Sequence, residues 1–232
     1  MNVNYIVGTA TTKDYFFETQ QMLYSLYTLL PNDVKVVICD NGLDEKQRNI
    51  LKNNFGFCNI EIFEKKLSDY EKKNYLFKNI VLRKCLEMSN KDTIYMWLDA
   101  KTMLKYNEKQ ILEMLEVQPI YGHIVFNEPE YLWTDKRTLD LLKLDIHDRK
   151  TFQIQASAML FDLRKKETKE FIDKFLDLCD TEEVIAPKGS SKGFTTPTHR
   201  QDQSVFSCCM KKMGYYIHNN KPWAIMHNTI HK

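Results

Sequence analysis

The chain has 232 residues, 43% hydrophobic and 28% charged, enough apolar material for one large domain or two small ones. Acids and bases are interleaved to a formal net charge of +2 with no cationic tail or block, which argues against a dedicated nucleic-acid binder. The opening MNVNYIVGTA lacks the basic start, long apolar run and cleavage site of a signal peptide, and no later segment reads as a membrane span. The expectation is therefore a cytoplasmic protein. Six cysteines, Cys39, Cys58, Cys85, Cys179, Cys208 and Cys209, lie in apolar runs without CxxC spacing and read as buried thiols.

In chain order, residues 4–7 predict a first strand, followed by a small-residue turn over 8–12 (GTATT). A helix over 17–30 repeats apolar residues at Met22, Leu23, Leu26, Tyr27 and Leu30 and is stopped by Pro31. A second strand over 34–39 ends in Asp40, Asn41-Gly42 turns the chain, and a helix over 44–53 and a strand over 60–63 follow. Strand, helix, strand, helix, strand with short connections implies a mainly parallel sheet covered on both faces. Residues 70–75 read as a charged loop into a helix over 76–88. The run TIYMWL at 93–98 is a buried central strand that ends abruptly in Asp99.

Beyond it come a helix over 108–117, a strand over 123–126, a short helix over 134–142, a strand over 153–161 and an amphipathic helix over 165–179. The stretch 184–198 (VIAPKGSSKGFTTPT) has linker chemistry and is a candidate lid, with a disordered surface excursion as the alternative. Thr198 and Gln201 have the spacing of a capping box. A helix starting there would hold Asp202 near its positive end and bury Val205, Phe206, Cys209 and Met213.

Sheets of this kind bind ligands beyond the carboxyl ends of their strands, where both Asp40 and Asp99 fall. A nucleotide is expected against Thr9, Ala10 and Thr11, with Asp40 accepting from ribose hydroxyls or base N–H groups; Asp-Asn-Gly alone is more often just a turn. Transfer of a sugar from a nucleotide diphosphate also needs positive charge on the departing diphosphate and a group to take the acceptor's proton. Asp99 could hold a divalent metal, since cations that bridge phosphates want carboxylate oxygen. Two positions on, past Ala100, stands Lys101, so either Asp99 holds the metal with a distant ligand such as His227, or Lys101 supplies the charge itself. Lys78, Arg83 and Arg200 are further cations for phosphate, although a solvated helix face is the better reading of Arg83. Asp202 is the candidate for the proton; alone it would read as a stabilising helix-end acid, but His199 and Arg200 beside it favour a site. His231 reads as a tail residue.

The segments VVICDNGL, YMWLDAKT, FQIQASAMLF and HRQDQSVFS, in this order, resemble the GT-A glycosyltransferases, specifically the capsular-polysaccharide-type group with an HRxDQS motif found in bacteria, nematodes and large DNA viruses. The resemblance covers 5–216 and implies a Rossmann-like α/β fold with a mixed, mainly parallel sheet flanked by helices. It implies a single domain over 1–232, with a nucleotide-binding half (1–102) and a donor-sugar and acceptor half (103–232). Carried over, it makes Asp40 a nucleotide contact and Asp99 the first acid of a manganese- or magnesium-binding motif. Gln155, Ala156 and Ser157 become part of the donor-sugar pocket, and Asp202 the catalytic-side acid. Lys101 stands where the motif has its second acid, which leaves the metal open. Lys221-Pro222-Trp223 also resembles the glycogenin-like transferases, in surroundings that match less well. The expected function is transfer of a sugar from a UDP-sugar to a glycan or glycoprotein acceptor in polysaccharide biosynthesis. The alternatives are a non-catalytic sugar-nucleotide or glycan-binding relative, and a Rossmann-type oxidoreductase, which the lack of GxGxxG in 7–12 weakens.

Overall fold

The computed structural model describes residues 3–31, 33–190, 198–216 and 222–226. The first half runs β1 (Asn4–Thr11), a 3-10 turn (Lys13–Tyr15), α1 (Phe16–Leu29), β2 (Lys35–Asp40), α2 (Glu45–Asn54), β3 (Asn59–Glu64), α3 (Asp69–Lys73), α4 (Phe77–Glu87) and β4 (Thr93–Leu98). There follow β5 (Thr102–Leu104), α5 (Glu108–Val117), β6 (Ile120–Pro129), α6 (Glu130–Trp133), α7 (Lys136–Leu141), α8 (Ile146–Lys150), β7 (Phe152–Asp162), α9 (Lys166–Asp180), α10 (Glu182–Ile185), α11 (Gln201–Lys212) and β8 (Ala224–Met226).

Six strands form one sheet in the order β3-β2-β1-β4-β7-β6. The first four are parallel, and β7 runs antiparallel to both β4 and β6. Strands β5 and β8 pair antiparallel in a small second sheet. The expected mixed, mainly parallel α/β sheet is therefore what the chain builds, with strands from both halves in it.

All six residues of β4 are buried, because helices cover both faces of the sheet and no alternation of polar residues is required. Tyr95 and Trp97 join a core with residues of α4, α9, α10 and α11, while Ile94, Met96 and Leu98 join the core under α1, α2 and α5. Gly8 lets α4 approach β1 closely: a Cβ there would lie 2.6 Å from Tyr95 Oη and 2.7 Å from Val81 Cγ1.

Four local expectations are corrected. The turn expected over 8–12 is strand up to Thr11, since the parallel ladder with β2 continues to the pair Thr11 and Asp40. The charged segment 70–75 contains the short helix α3, started by a capping box in which Ser68 accepts from Glu71 N and Glu71 accepts from Ser68 N. No capping box joins Thr198 and Gln201. Helix α11 starts at Gln201, whose φ of 39° interrupts the run-in such a box needs, and Arg200 N donates to Ser204 Oγ at 3.0 Å instead. Finally, α11 has no single buried stripe: it is enclosed nearly all round, from Gln201 and Asp202 to Lys211, with Met213 only partly buried.

Of the stretch considered as a lid, 184–185 belongs to α10 with both side chains buried, and 191–197 lie outside the described residues. Among the described residues no helix is long and apolar enough to cross a membrane. All six cysteines are free and buried.

Candidate functional site

Asp99 stands just past β4 and is fixed from both sides. Its N–H donates to Ser157 O at 2.8 Å, carrying the β4–β7 pairing one residue beyond the strand, and its C=O accepts from Thr102 N at 2.7 Å. Its carboxylate is aimed by Trp97, two residues back, whose Nε1 donates to Oδ1 at 2.8 Å. Strand β7 itself carries a slip near this point. Ile154, Ala156, Met159 and Phe161 all face the same core, so the side-chain alternation shifts between 156 and 159, at the irregularity in the β6–β7 register. Bulges of this kind re-aim side chains beside sites. Ser157 lies in the slip, with its Oγ buried and lacking a hydrogen-bond partner.

Lys78, in the first turn of α4, draws the centre together. Its Nζ donates to Ala156 O at 2.9 Å and pairs with Asp202 Oδ2 at 2.9 Å and Asp99 Oδ1 at 3.3 Å, 5.6 Å from the Trp97 ring centroid. An ammonium has three N–H groups, and three acceptors surround this one. Two carboxylates separated by about a hundred residues thus share one buried lysine. Burial pulls Lys78 towards neutrality, but Asp202 and then Asp99 outweigh it and hold its pKa above the ordinary lysine range. Burial pushes the Asp202 carboxyl up; the Lys78 charge pulls it down, and the Asp99 charge adds to the push.

The other expected residues are more dispersed. Lys101 Nζ lies 5.9 Å from the ring centroid of Tyr15, which follows the end of β1, so this cation sits between the β1 and β4 ends of the sheet. Ala100, between Asp99 and Lys101, is buried. Thr9 and Thr11 are fully buried, Thr11 Oγ1 lying 2.6 Å from Thr19 Oγ1, and Ala10 packs against the α4 core. Gln155 lies on β7 opposite His123. Asp40 is committed to its turn: Oδ1 accepts from Gly42 N at 2.8 Å and Leu43 N at 2.7 Å, and Oδ2 accepts from Arg48 Nε at 2.5 Å. Burial opposes its charge, but Leu43, Arg48 and Gly42 together hold its pKa below the ordinary range. A nucleotide contact there would have to share oxygens that the turn already uses.

His199 and Arg200 lie next to Asp202 in sequence, yet they serve a different cluster. His199 is fully buried and its Nδ1 accepts from Asp135 N at 3.2 Å. Arg200 makes a bidentate pair with Glu128 at 2.7 and 2.9 Å and lies over the Trp133 ring, 4.0 Å from its centroid. Strained backbone brackets the pair: Asn127 has φ 65° and Gln201 has φ 39°. Arg83 is on the surface, paired with Asp180 at 2.6 Å. His227 and His231 lie outside the described residues.

Sequence reasoning missed a buried network behind the site. Glu130 is completely buried and accepts from Thr134 Oγ1 at 2.5 Å, Gln153 Nε2 at 3.0 Å, Ser207 Oγ at 2.5 Å and Lys211 Nζ. Ser204 Oγ donates to Trp133 O at 3.0 Å. Ser204, Ser207 and Lys211 are spaced three and four apart among the apolar residues of the helix, a polar stripe that was the available signal.

The GT-A resemblance implies a divalent metal at Asp99, and the described donors do not suit one. Asp99 Oδ1 already takes Trp97 and Lys78, Asp202 Oδ2 takes Lys78, and the position of a second acid is Lys101. Among the described residues no three His, Cys, Asp or Glu side chains come together as a metal-binding group.

No protein-family model matches the chain, and no curated protein sequence does. Solved structures do. The bifunctional glycosyltransferase WbbM, in its apo form, matches with a TM-score of 0.58 at 9% identity over 90% of this chain. The chain has the GT-A glycosyltransferase fold. It spans only 38% of WbbM's length. The apo form of mouse xyloside xylosyltransferase 1 matches with a TM-score of 0.54 at 10% identity, over 94% of this chain and 84% of that one. The galactosyltransferase LgtC, solved with donor and acceptor sugar analogues, matches with a TM-score of 0.51 at 13% identity, over 88% and 69%. At such identities the likeness concerns the fold.

Proposed function

We propose that the protein is a glycosyltransferase that moves one sugar from a nucleotide-diphosphate donor, UDP-linked, to a glycan or glycoprotein acceptor. The observation that carries this reading is the meeting of Asp99 and Asp202 on Lys78 beyond the carboxyl end of β4, where sheets of this topology bind nucleotides. In this reading the donor lies over the rim between the β1 and β4 ends, with Lys101 towards the diphosphate and Ala156 and Ser157 towards the sugar. Asp99 and Asp202, held by Lys78, accept from sugar hydroxyls and stabilise positive charge developing at the anomeric carbon. If Asp202 takes the acceptor's proton, the product anomer is inverted.

One observation favours a second reading, a sugar-nucleotide-binding relative without turnover. Asp202 is 5% exposed and its Oδ2 is engaged by Lys78, so it reaches an acceptor only if donor binding opens the rim. Release of UDP from UDP-sugars, with and without glycan acceptors, separates the two. Wild-type protein is expected to release UDP, and Asp202→Asn to keep UDP binding while losing at least a hundredfold in release, within the range for an acid-base group. Tight UDP binding without release by the wild type would establish the second reading, and undiminished release by Asp202→Asn would remove Asp202 from the chemistry.

A further inference from the structure

We infer that nucleotide-diphosphate binding at this rim is independent of divalent metal, with Lys101 as the diphosphate-binding cation; the inference rests on the glycosyltransferase reading above. Three observations carry it. A bridging divalent ion needs several oxygen ligands converging from one side. Here the two carboxylates converge on Lys78 instead, at 2.9 and 3.3 Å, and Ala156 O completes its set of acceptors at 2.9 Å. The lysine thereby neutralises one of the two acids and ties up the carboxylate oxygens that a bridging ion would need.

The second observation is that Lys78 cannot also serve the phosphates. It is 6% exposed, it donates to Ala156 O, and both carboxylates lie within ion-pair distance of its ammonium. Lys78 and the two acids sum to a single negative charge, which repels a diphosphate unless a further cation compensates.

The third is the setting of Lys101. It follows Asp99 by two residues, where an acid would complete an Asp-x-Asp ligand pair, and its ammonium lies against the half-exposed ring of Tyr15 at the end of β1. A contact with an exposed ring is weak compared with a charge-assisted bond to phosphate, so the ammonium can turn from the ring to the ligand. An ammonium on a flexible stem binds phosphate as a point charge, which suits a diphosphate spanning the rim.

The test is calorimetric titration of the full chain with UDP, and with uridine as the phosphate-free control, in EDTA and in manganese. Wild-type affinity for UDP is expected to differ by less than about twofold between the two conditions and to weaken with salt. Lys101→Ala is expected to weaken UDP binding by about tenfold or more in EDTA while leaving the unfolding midpoint unchanged, since the side chain is partly exposed. Lys101→Asp reverses the charge and is expected to lose UDP binding in EDTA and in manganese alike, because Lys78 still holds both carboxylates. Wild-type binding that requires manganese would overturn metal independence and leave the glycosyltransferase reading standing. Unchanged affinity in Lys101→Ala would overturn the role of Lys101. Absence of UDP binding in both conditions would overturn the glycosyltransferase reading and this inference with it.

Discussion

Replacing Lys78 by methionine keeps the apolar stem against Trp97 and removes only the ammonium. Asp202, 5% exposed, then faces Asp99 with no cation between them, and Ala156 O loses its donor. Removing one member of a buried ion pair costs about 3–5 kcal/mol, most of it the uncompensated charge left behind. A domain whose stability lies in the middle or upper part of the usual range of about 5–15 kcal/mol survives that loss. The signature is in the pH dependence. In the variant, burial and Asp99 raise the Asp202 pKa with no Lys78 charge to pull it down. The folded state then binds a proton more tightly than the unfolded chain, so stability is regained as pH falls through the raised folded pKa, until the unfolded carboxyl also protonates near about 3.9. Between pH 7.5 and 5.0 the recovery relative to wild type is at most about 3.5 kcal/mol, at about 1.4 kcal/mol per unit. Urea unfolding followed by tryptophan fluorescence at the two pH values measures it, with the slope checked for constancy. Asp202→Asn added to Lys78→Met should restore most of the loss at pH 7.5. Equal losses at both pH values, or a double variant weaker than the single one, would refute the shared-lysine account.

The network behind the site yields a second prediction. Lys211→Met and Glu130→Gln should each destabilise by about 3–5 kcal/mol, while the double variant loses well under the sum, because the buried charges leave together; additivity in urea unfolding within about 0.5 kcal/mol would show that the pair is not coupled. A third concerns His123, which stacks on Trp223 at 5.3 Å and is held at about 4 by burial, against an ordinary 6.5. The unfolded chain takes up a proton below pH 6.5 and the folded chain only near 4, so this residue lowers stability as pH falls through that window, by at most about 3.5 kcal/mol. His123→Phe should flatten the stability curve there, and an unchanged slope would mean that His123 titrates normally.

The elements that carry the site were legible because local rules decide them. The buried run TIYMWL must be a central strand, and the apolar periods before Pro31 and at 165–179 must be helices. Asp99 and Asp202 stood out as acids at the ends of such elements. Their meeting was not legible, because it depends on three segments brought together by tertiary packing, and nothing local says that a lysine opening a helix will turn inward. The same limit applies to Arg200, whose pairing with Glu128 and place over Trp133 depend on segments far away in sequence. Asp40 illustrates a different limit. Its residue type and place at a strand end suit a nucleotide contact, yet backbone N–H groups two and three residues on lie within reach and take the carboxylate first.

Helix α11 shows why its polar residues cannot be assigned to chemistry or to structure one at a time. Asp202 meets Lys78 at one end, while Ser204, Ser207 and Lys211 tie the same helix to Trp133 and Glu130. Phe206 packs where a side chain on Gly122 would collide with it, its ring lying 2.8 Å from the Cβ such a residue would have. An apolar helix could slide or rotate by a fraction of a turn at little cost, but a directional ion pair and hydroxyl bonds restrict it. A functional carboxylate has to be held within about 0.5 Å of its place by supporting contacts. The buried stripe supplies those contacts from the side of the helix away from Lys78. Gln201, with φ 39°, stands between Arg200, held by Glu128, and Asp202, held by Lys78. The network is thus the reason a single carboxylate on a helix of 12 residues can be set against a lysine from the other half of the chain.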